Sequence, residues 1–333
     1  MSANIEITYG GTSIYNGDTS NALTLPTSGK YMSGDIVIAE AASPISDVLE
    51  ENEWSVISKV AQAGEGGNYW SVGDTKSVAL SGNVGTLSVS TTLNVFIIGI
   101  NHRDVNGITF QGFKTTDSGM IDVCLIDSKY GSTSSDGSKY FNMNHWGSGS
   151  SPYNTSYGGW KGCDARYDIL GSTNVAPSGY GATPTTSRVG YDAGTATATN
   201  PVANTLMSCL PSDLRAVMQP MTVYTDNKGN SSNTAANVTT SVDYLPLLAE
   251  FEIFGARSYA NTYEQNNQTQ YAYYSAGNSK VKYRHSSTGT TAGWWERSPR
   301  YNDANGFCYV RANGSAYSNT SRGSGGLAPA FTV

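Results

Sequence analysis

GWWERSPRYNDANGFCYVRANGSAYSNTSRGSGGLAPAF, residues 293–331, is the stretch whose pattern is easiest to convert into structure. Gly306, Cys308, Val310 and Ala312 alternate with Phe307, Tyr309, Arg311 and Asn313. That is the two-residue period of a β-strand. The first set is small and suits an inward face; the second is large, polar or aromatic and suits an outward one. Asn313-Gly314 is a strong hairpin signal, because both residues tolerate positive φ. On the return strand Ser315, Tyr317 and Asn319 alternate with Ala316 and Ser318. The expectation is a hairpin that shows Tyr309, Arg311, Tyr317 and Asn319 to solvent, with Tyr301, Asn302, Asp303 and Asn305 in the loop before it. Tyr and Arg are enriched at binding hot spots. The same alternation also fits an ordinary two-faced hairpin with one wet side. Trp294 and Trp295 read as core or rim aromatics.

Upstream, Tyr244 to Phe254 (YLPLLAEFEIF) and Val95 to Ile100 are apolar runs. The second reads as a buried central strand. Tyr69 to Asp74 leads into alternating strands through Leu87. Three helices are expected. The first runs from a cap at Ser46 or Asp47, over Val48, Leu49, Trp54, Val56, Ile57 and Val60, to a stop at Gly64. The second starts near Gly162, and the third spans Leu210 to Met218, with Ser212 as cap and Pro220 as terminator. Residues 171–204 and 225–241 read as long loops, and 130–160 is rich in Gly, Ser, Tyr and Asn. Residues 1–40 have β character, with a turn at Asn16-Gly17-Asp18 and a short strand from Asp35 to Ala39. Ala41-Ala42-Ser43-Pro44 reads as a linker. The expected division is therefore a small β-rich module over 1–43 and a larger domain over 44–333. No repeat of 20–50 residues is evident.

At about 150 residues per domain, 333 residues also suggest two domains. Charged residues make up 14% of the chain, against about 25% in an ordinary soluble protein. With Lys plus Arg at 20, Asp plus Glu at 26 and a net charge of −6, the chain does not read as a nucleic-acid binder. It does not read as a ligand of anionic membranes either. The apolar run at 95–100 is far short of the roughly 20 residues that span a bilayer. MSANIEITYGG has neither a basic start nor an apolar stretch, so no signal peptide is expected. The chain holds 37 Gly and 22 Tyr but only 8 Phe. Tyr gives contact area at low entropic cost, while Ser, Gly and Asn give adaptable hydrogen bonding; that is the composition of recognition surfaces. A loop-rich β protein would share it.

The four cysteines, Cys124, Cys163, Cys209 and Cys308, lack a C-x-x-C spacing and read as small buried apolar residues; a disulfide stays open. His102, His145 and His285 are scattered and read as structural. Asn154, Asn230, Asn237, Asn267, Asn313 and Asn319 head glycosylation-type triplets that the composition produces by itself. Asp122, Asp127, Asp164 and Asp168 show no calcium-loop spacing. No metal and no cofactor is expected.

Trp294-Trp295-Glu296-Arg297-Ser298-Pro299, the Gly-centred hairpin and Gly326-Leu327-Ala328-Pro329-Ala330-Phe331 together resemble the C-terminal signature of C-type-lectin-fold proteins of phage tails. Those proteins are similar to the variable proteins of diversity-generating retroelements and, more distantly, to formylglycine-generating enzymes. Further pieces follow in the same order. They are the Trp54 segment, Val72 to Lys76, Phe96 to His102, Gly159 to Cys163, Leu210 to Arg215 and Leu247 to Gly255, so the likeness covers about 46–333. Leu25 to Met32 followed by Asp35 to Ile38 is similar to a small module at the start of many phage tail proteins.

The resemblance implies an α+β, C-type lectin-like fold: a mixed, mainly antiparallel sheet with two or three helices and long loops. It implies variable ligand-binding positions at Arg300, Tyr301, Asn302, Asp303, Asn305, Phe307, Tyr309, Arg311, Asn313, Ser315, Tyr317 and Asn319. Trp294, Trp295, Arg297, Pro299, Pro329 and Phe331 would be their scaffold. Formylglycine-generating relatives hold a metal with two close C-terminal cysteines, and here Cys308 stands alone. A tailspike glycosidase would need two carboxylates facing one sugar. Glu250 and Glu252 would share a face on a strand, but read better as braces of the core segment. The expectation is a non-enzymatic adhesin carried on the virion and made in the bacterial host cytoplasm. Its partners would be a host cell-surface receptor, protein or glycan, other tail proteins and further copies of itself, a trimer being common for tail fibres. Two alternatives stay open: a structural tail or baseplate protein whose hairpin packs on a neighbouring subunit, and a lectin-fold enzyme.

Overall fold

The chain forms two compact units in a computed structural model, Met1–Ser46 and Asp47–Val333. In the first, the structure describes four strands; in the second, residues 45–126, 141–144, 155–182, 184–189 and 197–333, counting the two residues before the boundary. The linker residues 41–44, Leu25 to Gly29, Asp35, Asp127, His145, Asn154 and most of 130–160 lie outside the described residues.

In the first unit β1 (Asn4–Tyr9) pairs antiparallel with β2 (Thr12–Asp18), and β3 (Lys30–Ser33) with β4 (Ile36–Glu40). The turn expected at Asn16-Gly17-Asp18 is not there. Gly17 pairs with Ile5 and Asp18 with Asn4, inside β2. Tyr9 pairs with Thr12 instead, and that register holds Asn16-Gly17 within the strand.

The second unit is an α+β structure with mainly antiparallel sheets and short helices. Its first helix spans Trp54–Gln62, later than the expected start at Ser46. Leu49–Glu51 makes only a 3-10 turn, and Asn52 and Glu53 are extended. Trp54, Ile57, Val60 and Ala61 are buried at helical spacing, and Gly64 at φ +79° ends the run. β5 (Thr75–Val84), β6 (Leu87–Ile100), β7 (Ile108–Lys114) and the last strand of the chain make one four-stranded antiparallel sheet. β6 lies inside it, and Val95 to Ile98 are fully buried. β8 (Val123–Cys124) follows.

Helices Asp164–Asp168, Leu206–Cys209 and Ser212–Val217 come next. The third begins with Ser212 as its first residue; Pro211, not Ser212, occupies the N-cap, with no side-chain cap bond. Residues 225–241 are not one loop. β9 (Met221–Asp226) and β10 (Val238–Asp243) form an antiparallel hairpin, with Val238 opposite Asp226. In 171–204 the described residues form loops with a single 3-10 turn at Thr186–Arg188. Residues 245–249 are buried and run into a helix, Glu250–Phe254, so Glu250 and Glu252 lie on a helix rather than a strand. Ala272–Ser275 is a further short helix.

β11 (Lys282–Arg284) pairs parallel with β8 and antiparallel with β12 (Ser287–Ala292). β13 (Trp294–Pro299), β14 (Gly306–Val310) and β15 (Ala316–Thr320) form a three-stranded antiparallel sheet in that order. β16 (Ala330–Thr332) completes the four-stranded sheet beside β7. It seats Phe331 with ring centroids 5.3 Å from Phe110 and 6.0 Å from Trp54. The end of the unit is thereby locked to its first helix. All four cysteines are free and buried, as expected of small apolar residues. Burial pushes the Cys124 and Cys163 thiols up to about 12.

Candidate functional site

The hairpin expected at 306–319 exists, with Tyr309 opposite Tyr317 and Phe307 opposite Asn319. Its turn is built by Asn313 and Gly314. The Gly314 N–H donates to the Arg311 carbonyl at 2.8 Å, the Arg311 N–H to the Ser315 carbonyl at 2.9 Å, and Gly314 sits at φ +82°. The Asn313 side-chain oxygen accepts from the backbone and hydroxyl of Ser315.

The outward face differs from the expectation. Phe307 is fully buried and Tyr309 is only 6% exposed. Both lie on β14, the middle strand, and the neighbouring strand and loops cover that face. Tyr309 packs edge-on against Trp295, centroids 5.0 Å apart. It also fills the space over Gly293, where a Cβ would collide with its ring. Gly306, Cys308 and Val310 are buried as well, so β14 has no wet side. Tyr317, on the edge strand β15, is 36% exposed. Arg311, Asn313, Ser315, Asn302 and Asn305 are exposed; Arg300, Tyr301, Asp303 and Asn319 are half-buried.

The six residues read as scaffold, Trp294, Trp295, Arg297, Pro299, Pro329 and Phe331, are all buried. Trp294 donates from Nε1 to the Lys280 carbonyl at 3.0 Å, and Trp295 to the Phe141 carbonyl at 2.7 Å. Arg297 makes a two-pronged ion pair with Glu252, both contacts at 2.6 Å, and reaches Thr225 Oγ1 and the Leu247 carbonyl. Glu252 also accepts the Ala249 N–H. One guanidinium thus ties β13 to β9 and to the helix at 250–254.

The other braces are acidic. Glu264 accepts from the Asp226 N–H and the Ser298 hydroxyl. Burial, outweighing these bonds and the nearby Arg297, pushes its carboxyl up to about 7. Glu296 is wholly buried, with no hydrogen-bond partner at either oxygen among the described residues. Burial, with Glu250 and Glu264 adding, drives its carboxyl well above the usual carboxylate range. Glu250 accepts the backbone N–H groups of Tyr259 and Ala260 at 2.9 and 2.7 Å. Glu250 and Glu252 are braces, as read from the sequence.

Glu250 thereby holds a loop that sequence reasoning missed. Ala260 forms a β-bridge with Arg300, and the Tyr301 N–H donates to the Tyr259 carbonyl at 2.8 Å. Arg257 and Tyr259 join the exposed residues of the C-terminal segment there. The Arg311 guanidinium lies 3.6 Å from the Tyr317 ring centre, and Tyr317 meets Tyr259 edge-on at 5.9 Å. Arg300 sits 5.9 Å from the Tyr259 ring, and Arg257 lies 5.0 Å from the Tyr301 ring. Arg300 also bonds Asn302 and makes a long contact, 3.5 Å, with Asp303. The result is one continuous surface of alternating Tyr and Arg. Nothing in the 255–260 run marks it as part of this face, because the bridge to Arg300 joins residues 40 apart in the chain.

A separate cavity of about 420 Å³ opens between His102–Gly107, β9 and Tyr271. His102 stacks on Tyr271 at 3.9 Å, and Glu252 on its wall is committed to Arg297. None of the sequence-predicted site residues lines it.

No curated protein and no solved structure matches the chain. Residues 133–333 match a family model described as a domain of unknown function, DUF6273. The match takes in the apolar 244–254 segment, the Glu250-held loop and the whole C-terminal sheet. It spans more than half of the sequence, and the chain belongs to the DUF6273 family.

Proposed function

We propose that the protein is a non-enzymatic phage adhesin whose second unit has a C-type lectin-like fold and presents a Tyr/Arg/Asn surface to a bacterial host receptor. The observation that carries this reading is the Tyr317–Tyr259–Tyr301 face with its three arginines. It rests on a sheet whose other side chains are locked by buried indoles and by the Arg297–Glu252 pair. Recognition surfaces combine rigid support with adaptable exposed groups in this way. The mainly antiparallel α+β architecture with short helices and long loops supports the lectin-like reading.

In this reading the first unit attaches the chain to other tail proteins or to further copies of itself. Repeated copies on the virion convert modest single-site affinity into avidity. The variable positions shrink to the exposed and half-buried ones: Arg300, Tyr301, Asn302, Asp303, Asn305, Arg311, Asn313, Ser315, Tyr317 and Asn319. β15 is an edge strand, which favours the structural reading as runner-up, since an edge can pair with a neighbouring subunit.

The test is binding of the labelled protein to host bacteria. Replacing Tyr259, Tyr301 and Tyr317 with Ala should abolish cell binding in a protein that still folds and unfolds cooperatively. Undiminished binding of the triple variant would refute the reading. Sequencing codons 294–331 across a phage population tests diversification: variation should fall on the exposed positions and spare Trp294, Trp295 and Phe331.

A further inference from the structure

We infer that the ligand of this face is an anionic polysaccharide, bearing carboxylate or phosphate groups; the inference rests on the receptor-binding reading. The chain as a whole carries net charge −6. Yet residues 255–261 and 300–320, which build the face, contain Arg257, Arg300 and Arg311 against a single acid, Asp303. Positive charge is concentrated where the rest of the molecule would repel an anion.

The way these arginines are held points the same way. Arg311 has no ion pair among the described residues; its guanidinium sits over the Tyr317 ring, 3.6 Å from its centre. Arg257 lies over Tyr301 and, among the described residues, bonds only the Ala260 carbonyl, at 3.4 Å. Arg300 has Asp303 as a partner, but at 3.5 Å and with both side chains about one-third exposed. Stacking on a ring orients a guanidinium and leaves its N–H fork unspent. That fork matches the two oxygens of a carboxylate or phosphate. By contrast, the buried arginines Arg166, Arg188 and Arg297 are each closed by a carboxylate, at 2.7, 2.8 and 2.6 Å.

The remaining groups favour a sugar over an acidic protein. Asn302, Asn305 and Asn313 are exposed amides, which both donate and accept as hydroxyl-rich ligands require. Tyr259, Tyr301 and Tyr317 offer ring surface with a polar tip. Protein interfaces centre on a desolvated apolar core. Here Tyr317, 36% exposed, is the most open large hydrophobic side chain in these two segments, and no exposed aliphatic anchor accompanies it.

The experiment measures binding of the full chain to immobilised polygalacturonate, a phosphate-bearing mannan, neutral dextran and polyglutamate. Retention is expected on polygalacturonate or the phosphomannan, and which of the two is preferred identifies the anion. None is expected on dextran. Affinity should fall at least about tenfold between about 0.05 and about 0.5 M NaCl, because the contacts are exposed and screened. Arg311→Ala should lower it similarly at unchanged melting temperature, and Arg311→Lys should restore it only in part. Retention on dextran, salt-insensitive binding, a preference for polyglutamate or no binding to any probe would each overturn the inference. Host-cell binding followed over the same salt series separates the two readings. Salt-insensitive cell binding removes the anionic ligand and leaves the adhesin. Polygalacturonate binding without cell binding does the reverse.

Discussion

Tyr309 and Tyr317 stand opposite each other on β14 and β15, yet replacing each with Ala should have opposite consequences. Tyr309 is 6% exposed, lies edge-on to Trp295 at 5.0 Å and covers Gly293. Truncating a buried aromatic to Ala costs about 3–5 kcal/mol, through lost transfer free energy and the cavity left behind. The aromatic pair with Trp295 adds about 1 kcal/mol of that total. The surroundings cannot relax to fill the gap, because β13 and β15 hold β14 on both sides. At about 2–4 °C per kcal/mol for a large domain, the melting temperature should drop by on the order of 10 °C. Tyr317 is 36% exposed. Its Ala variant loses a surface cation–π contact and one edge-on ring pair, about 1–2 kcal/mol together. Thermal and denaturant unfolding of both variants, run beside cell binding, decides the matter. The expected outcome is a destabilised Tyr309→Ala protein and a stable Tyr317→Ala protein that binds poorly. A Tyr309→Ala change below about 1 kcal/mol, or equal losses in both, would refute the assignment of Tyr309 to the core.

Other expectations follow from the buried charges. Burial pushes the Glu264 carboxyl up to about 7 from its ordinary 4.5, so the folded state holds its proton where the unfolded chain has released it. Its contribution is therefore complete below the unfolded value and is lost as pH rises toward 7. The loss is about 3 kcal/mol, and Glu264→Gln should flatten that part of a pH–stability curve measured by urea unfolding. Arg297→Met leaves Glu252 buried and unpaired and should cost about 3–5 kcal/mol, while adding Glu252→Leu should return much of it; a strictly additive double variant would argue against the pairing. All four thiols are buried with raised pKa values, so a thiol reagent such as Ellman's should react with them only in denaturant.

Local pattern was enough for several features of this protein. The 95–100 run read best as a buried strand, and period-two alternation with Asn313-Gly314 read as a hairpin, from side-chain spacing and turn geometry. The scattered cysteines read as small buried residues with a disulfide left open, and the structure shows all four free and buried. Turns and helix starts were less legible. Asn16-Gly17 is absorbed into β2 by its register with β1, and Leu49–Glu51 stops at one 3-10 turn before the true helix.

Only the tertiary structure decided which side of the C-terminal hairpin meets solvent. Alternation assigns residues to two faces, but not which faces are covered, and both faces of β14 are buried by the packing around the sheet. The contribution of Arg257 and Tyr259 was equally invisible. Glu250 holds their loop, and the Ala260–Arg300 bridge brings it beside Tyr317. Sequence spacing encodes the period of a strand. The neighbours that bury it, and the distant loop that completes its surface, are set by long-range packing.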